Sequence, residues 1–207
     1  MPTQMLMLVF GVAPLQEMVK VLVTVAGTGA PGFGGDGGPA VGAPLAGPMG
    51  VGVDLMGNVY LAGGSRVRAV DRDGVIRSVA GTGLLAADGN GGPAVQAAVG
   101  NAWQVAVDSQ GRLYVADPGH NLVRRVDERG VITTVAGGGS DALGEGIPAT
   151  SAALASPYGV AVDATGTVYI AETNGHRVRR VRPRWASTSI SPSAANAASS
   201  ATSVSTP

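Results

Sequence analysis

His120 and His176 are the only histidines in a chain of 207 residues, and there is no cysteine. Zinc hydrolysis or lyase chemistry draws on three protein ligands, so two imidazoles without thiolates fall short of a catalytic metal centre. The missing cysteine also removes thiol nucleophiles and disulfides. No Gly-x-Ser-x-Gly elbow supplies a serine nucleophile for either imidazole. Asp36 and Asp88 lie in glycine-rich loops whose oxygens could face a hard cation. A calcium loop presents several acidic ligands at alternating positions, whereas each of these loops presents one, which reads as Asx-turn capping. Gly27-Thr-Gly29-Ala-Pro-Gly32 has the spacing of a dinucleotide loop. Pro31 and the glycines running to Gly38 deny it the helix N-terminus a pyrophosphate needs. On this reading the chain has no catalytic residue, no cofactor and no metal.

Charge narrows the partners further. Lys plus Arg and Asp plus Glu number 14 each, for a net charge of zero. Phosphate binding scales with clustered positive charge, so this balance argues against RNA and against an anionic membrane surface. No apolar run is long enough to span a bilayer. Met5 to Leu15 is apolar but broken by Gly11 and Pro14, and it lacks the basic flank of a secretory signal. It reads as a worn strand of an upstream repeat.

The elements that must position any site repeat along the chain. Val25-Ala26-Gly27 recurs as Val79-Ala80-Gly81 and Val135-Ala136-Gly137, Val53-Asp54 as Val107-Asp108 and Val162-Asp163, and Tyr60 as Tyr114 and Tyr169. A step of roughly 50 residues marks one supersecondary unit copied in series, and whatever every copy shares is scaffold. In the third copy strands are predicted near 158–163, 167–172 and 177–181, and the second copy shows a fourth at Val131–Val135. Four short antiparallel strands joined by tight turns make the blade of a β-propeller. The second strands, such as Leu113–Ala116 and Val168–Ala171, are apolar on both faces and so need neighbours on both sides, which favours stacked blades over a sandwich. The loops 27–48, 81–102 and 137–157 each carry Pro-Ala and then an apolar anchor, which predicts a short helical turn on the blade edge.

These residues resemble the NHL repeat in its long bacterial and teneurin-like form. The phrases that carry the likeness are Val25-Ala-Gly-Thr-Gly29, Gly35-Asp-Gly-Gly-Pro-Ala40, Gly159-Val-Ala-Val-Asp163, Val168-Tyr-Ile-Ala-Glu172 and Asn174-Gly-His-Arg-Val-Arg179. The match runs from about Val21 to Arg182. The first copy shortens its last phrase to Ala62-Gly-Gly-Ser-Arg66, and the second transposes the Asn-His pair to His120-Asn121. The third loop loses the acidic-glycine phrase. The resemblance implies an all-β fold of about three four-stranded blades, an incomplete or half propeller. It also implies binding of a protein or other macromolecule as the default role, with a propeller lyase or hydrolase holding a metal, or a piece of a larger NHL sensor, as the alternative. His120 and His176 fall where such a repeat carries its histidine, which gives them a signature role.

Residues found in one copy only are the candidate binding set. These are Phe33, Trp103, His120, Tyr158 and the acidic pair Asp141 and Glu145, joined by Asn174 and His176 in the third turn. Arg68, Arg124 and Arg179 share one repeat column and are expected to pair with a repeated carboxylate. The organisation expected is a degenerate segment over 1–19, blades over 20–183, and a disordered Ser/Ala/Thr-rich tail over 184–207. Lys20–Val25 aligns with Gly130–Val135, so it reads as a fourth strand, while the last blade has three. Two arrangements account for this phase: a homodimer completing a six-bladed ring, or a longer propeller of which these blades are a part.

Overall fold

The computed structural model describes residues 20–142 and 144–182. The expectations for residues 1–19 and for the tail beyond Arg182 lie outside the described residues. Among the described residues eleven strands form three antiparallel sheets in simple meander order. The first blade holds β1 (Pro48–Val53), β2 (Val59–Gly63), β3 (Arg66–Val70) and β4 (Ile76–Ala80). The second holds β5 (Gln104–Val107), β6 (Leu113–Asp117), β7 (Leu122–Val126) and β8 (Ile132–Gly137). The third holds β9 (Pro157–Val162), β10 (Val168–Glu172) and β11 (Arg177–Val181). Expected strand limits lie within two residues of these, and 177–181 coincides with β11. Single 3-10 turns at Ala40–Gly42, Ala94–Gln96 and Ala149–Ser151 follow Pro39, Pro93 and Pro148, where the loops were expected to turn.

One carboxylate builds each turn between first and second strands. Asp54 Oδ1 accepts the Met56 and Asn58 amides, Asp108 Oδ1 those of Gln110 and Arg112, and Asp163 Oδ1 those of Thr165 and Thr167. Their Oδ2 atoms accept the hydroxyls of Tyr60, Tyr114 and Tyr169 at 3.1, 3.2 and 3.2 Å. The spacing of six residues is therefore a clamp between turn and second strand, which is why it repeats.

Each blade packs its second strand against the next blade. Tyr60, Ala62 and Val67 of the first meet Val105, Leu113 and Val115 of the second. Tyr114, Ala116 and Val123 of the second meet Val160, Val168 and Ile170 of the third. Every residue of β6 is buried, as a strand apolar on both faces requires. β10 departs from that expectation: Val168 and Ile170 are buried while Tyr169 and Ala171 are exposed, because no described blade covers that side.

The arginine column ties the long loops down. Arg68 pairs with Asp36 and also donates to the carbonyls of Gly34 (2.9 Å) and Pro44 (3.1 Å). Arg124 donates to the carbonyls of Asp88 and Ala98 at 3.0–3.1 Å, and Arg179 to that of Gly144 at 2.6 Å. The expectation of a carboxylate partner thus holds at Arg68 and at Arg179, which lies 3.5 Å from Glu172 and 3.9 Å from Glu145, whereas Arg124 is met by loop carbonyls. The Asx-turn reading of Asp36 and Asp88 is corrected too. Asp36 Oδ2 accepts the Ser78 amide of β4 (2.9 Å), and Asp88 Oδ1 accepts the Ala98 amide across its own loop (2.8 Å). The structural counterpart of Asp36 is Asn90, whose Oδ1 accepts the Thr134 amide of β8 at 2.7 Å. Each stands three residues before the loop proline. Glu145, read as unique to its copy, is the third member of that column.

Lys20–Val25, expected as a fourth strand, stands outside the three blades. It pairs with no strand among the described residues, and Val21, Leu22 and Val23 are exposed to solvent.

Candidate functional site: the loop-bearing rim

The long loops and the turns between second and third strands meet at one end of the blades. The acid closing each second strand holds them there. Asp117 Oδ2 accepts the Gly100 amide (2.9 Å) and Glu172 Oε2 accepts the Ala155 amide (2.8 Å), both side chains fully buried. In the first blade Gly63 occupies this position without a carboxylate, and the Gly64 carbonyl beside it accepts the Ala102 amide from the second blade's loop at 2.9 Å.

Asp117 also fixes His120. The imidazole Nδ1 lies 3.0 and 3.1 Å from the two carboxylate oxygens, and the His120 amide donates to the same group. A Cβ on Gly100 would collide with both side chains, so glycine there is what lets the loop close over the pair. Asp–His pairing orients an imidazole, but no hydroxyl or thiol is hydrogen-bonded to His120 among the described residues. Nor do three acidic or histidine side chains converge there on a common point.

Trp103 immediately precedes β5 and Tyr158 is the second residue of β9, the first strands of adjacent blades. Their rings meet edge to face, with centroids 4.3 Å apart and planes at 72°. The Asn101 amide accepts from Trp103 Nε1 (3.0 Å) and donates to Gly64 O (3.2 Å), so the indole is held from the first blade as well. Met49 occupies the same place in the first blade and is exposed. Met49, Trp103 and Tyr158 thus form an apolar column along the inner rim, with His120 one turn further out.

Phe33 lies against Gly64 of the first turn and under the Arg66 guanidinium, 5.1 Å from its ring centroid. The third turn is open. Asn174 Nδ2 donates to Ser156 Oγ (2.8 Å), and His176 is exposed with φ 51°. Asn121, at the same turn position in the second blade (φ 54°), accepts the Ser156 amide of the third blade at 2.8 Å. Asp141 accepts the Gly144 amide (2.8 Å), while Glu145 projects into an open slot beside β11, lying 3.9 Å from Arg179. The structure therefore brings Trp103 and Tyr158 into contact on the rim, sets Phe33 and His120 at the turns between second and third strands of the first and second blades, and places Asp141 in the third long loop and Glu145 in the slot beside β11. Sequence reasoning missed Asp117, Asn101, Asn121 and Met49. Only Asp117 carried a signal, as the acid ending the second-strand phrase.

Three meander blades stacked through their second strands, with loops gathered at one end, define a propeller repeat module. The chain belongs to the NHL-repeat β-propeller family in its long, teneurin-like form. The teneurin NHL domain family matches residues 12–88, and the NHL repeat matches residues 154–181. Teneurin-4 of Mus musculus is 31% identical over 199 residues, covering 86% of this chain. The chain spans only 7% of that relative's length. Among solved structures, an auxiliary nutrient binding protein from Bacteroides thetaiotaomicron is similar at 18% identity and a TM-score of 0.53, covering 63% of this chain and 36% of its own. A virginiamycin B lyase from Staphylococcus aureus is similar at 20% identity and a TM-score of 0.45, covering 66% and 38%. No helix among the described residues is long and apolar enough to cross a membrane.

Proposed function

We propose that this chain is a non-enzymatic NHL propeller module that binds a protein or other macromolecule through its loop rim. The observation that carries the reading is the Trp103–Tyr158 pair, half-buried at the loop-bearing end and seated between two blades. Aromatic side chains that are already ordered lose little entropy on binding and serve as interface anchors. The long loops around them vary between copies while the blades beneath repeat, the usual division between binding surface and scaffold. The Asp117–His120 pair supports this reading through what surrounds it, since its hydrogen bonds fix a loop and present no nucleophile. Propeller folds carry both binding and catalysis, so the site and not the fold decides.

The test is capture of a macromolecular partner from extracts, followed by measured affinity for that purified partner. Trp103→Ala or Tyr158→Ala is expected to weaken it at least tenfold with the β-sheet circular dichroism unchanged. Stoichiometric zinc or calcium in the purified protein, lost together with turnover on His176→Ala, would overturn the reading in favour of a propeller lyase or hydrolase.

A further inference from the structure

The third blade is unfinished in a specific way. β4 and β8 pair along β3 and β7, but no described strand pairs with the outer edge of β11. Beside that edge lies an open slot of about 940 Å3, lined by Glu145, Ile147, Leu154, Ile170 and β11. In the finished blades the matching space holds the fourth strand. Gly37 and Gly91 there donate to the carbonyls of Ile76 and Ile132, and Asp36 and Asn90 accept the amides of Ser78 and Thr134. Glu145 stands in the same column, with its side chain 83% exposed.

The chain also carries a fourth strand without a blade. Val21-Leu-Val-Thr-Val-Ala-Gly27 aligns residue for residue with Val75–Gly81 and Val131–Gly137. Leu22 is fully exposed (102%), whereas its counterparts Ile76 and Ile132 are both at 0%. Gly27 keeps the left-handed φ of Gly81 and Gly137 (102°, against 92° and 87°). A Cβ on Gly81 or Gly137 would strike the carbonyl of Ser65 or Asn121 at the start of the third strand of the same blade, while one on Gly27 would meet only Leu45 of its own loop. The neighbour that makes this glycine necessary is missing.

The blade faces at the two ends match in the same sense. Val178 of the third blade is 72% exposed where Val123 of the second is at 0%. Val51 of the first blade is 55% exposed where Val105 is at 0%. Val123 and Val105 belong to opposite sides of the inter-blade seams already present in this chain. The third blade thus presents one half of the repeated seam and the first blade presents the other.

We infer that two copies of this chain close head to tail into one ring, each supplying Val21–Ala26 as the fourth strand of the other's third blade. The same join occurs twice about a two-fold axis, which satisfies both open ends and leaves no heterologous surface to propagate. Three blades from each copy make six, within the four to eight of closed propellers. By the register of β3 with β4 and of β7 with β8, Val23 falls opposite Arg180 and Thr24 opposite Arg179. Glu145 then accepts the Thr24 amide, and Gly27 meets the carbonyl of the second copy's His176, the counterpart of Ser65 and Asn121. The join leaves the rim reading above untouched and stands on independent observations.

Light scattering on the full chain at micromolar concentration is expected to give about 41 kDa, twice the 20.4 kDa of one chain. Leu22→Asp, on a segment outside the blades of a single chain, is expected to give a monomer that keeps its β-sheet circular dichroism. Because the chain has no cysteine, a cross-link can be placed at will. Opposed residues on antiparallel strands lie about 4.5–5.5 Å apart between Cα atoms, within disulfide reach. V23C with R180C should therefore oxidise to a covalent dimer, whereas V23C with T165C should not. A folded wild-type monomer overturns the inference and leaves the slot to a strand from a longer polypeptide. A dimer unaffected by Leu22→Asp overturns it as well, as does an oxidised V23C/R180C chain that stays monomeric.

Discussion

The Tyr114 hydroxyl donates to Asp108 Oδ2 at 3.2 Å while the other oxygen of that carboxylate holds two amides of the preceding turn. Arg112 Nε completes the set at 2.6 Å, so one buried carboxylate joins a turn, a second strand and an ion pair. Asp108→Ala leaves these donors unpaired inside the seam between the second and third blades. Such a change is expected to cost about 2–4 kcal/mol, and Tyr114→Phe about 1 kcal/mol. Urea denaturation of the two variants checks the order, and equal losses would show that the tyrosine acts through packing alone.

The same clamps set the pH response. Burial pushes the Asp54 and Asp108 carboxyls up, but hydrogen bonds from Asn58, Tyr60, Arg112 and the turn amides outweigh it and leave both below the ordinary 3.8. Asp163, held chiefly by the Thr165 hydroxyl, is lowered as well. A carboxyl depressed on folding contributes stability above its unfolded value and loses it as pH falls through the folded one. Burial, with the Asp54 or Asp108 charge, raises the Tyr60 and Tyr114 phenols above 10.0, so their contribution fades as pH climbs past that value. Melting temperature is therefore expected to be flat from about pH 5 to 9, falling below 4 and above 10. Tyr114→Phe should soften the alkaline fall and Asp108→Asn the acid one.

The blades were legible because their cause is local and repeated. A turn carboxylate and a tyrosine six residues on must recur wherever the clamp recurs, and strands apolar on both faces announce stacked neighbours. The loop columns were harder to read. Asp36 and Asp88 share a phrase, yet register over the fourth strand equates Asp36 with Asn90 and Glu145. That equivalence is counted back from the loop proline and shows only once the fourth strand is in place. The rim was legible in part. Trp103 and Tyr158 drew attention by breaking the repeat, but their contact crosses a seam between blades 55 residues apart in sequence. Asp117 was hidden because an acid ending a strand looks like any turn residue until its carboxylate is seen turned inward.

Arg124 is fully buried, and burial lowers the pKa of its guanidinium, which donates to loop carbonyls. Replacing it with methionine fills much of the volume but leaves the Asp88 and Ala98 carbonyls without their donor. The loop over 81–102 is expected to open locally before the blades unfold, since its closure rests on this anchor and on the Asp88–Ala98 clamp. Hydrogen exchange should show lost protection at Ala98 and Gly100 with little change in β6. Uniform loss across the second blade would place Arg124 in the global core instead.

Trp103 and Tyr158 allow stability and binding to be separated at the rim. Edge-to-face aromatic pairs contribute about 0.5–1.5 kcal/mol beyond the area they bury. A double-mutant cycle with Trp103→Ala and Tyr158→Ala should return a coupling of that size in urea denaturation, since the rings touch directly. Binding is expected to follow a different rule. If both rings anchor one partner, either single variant removes most of the affinity and the double variant adds little. Additive losses in affinity would mean that the two rings face separate ligands. No loss, with the stability coupling intact, would leave the pair as a seam between blades and move the binding surface elsewhere on the loops.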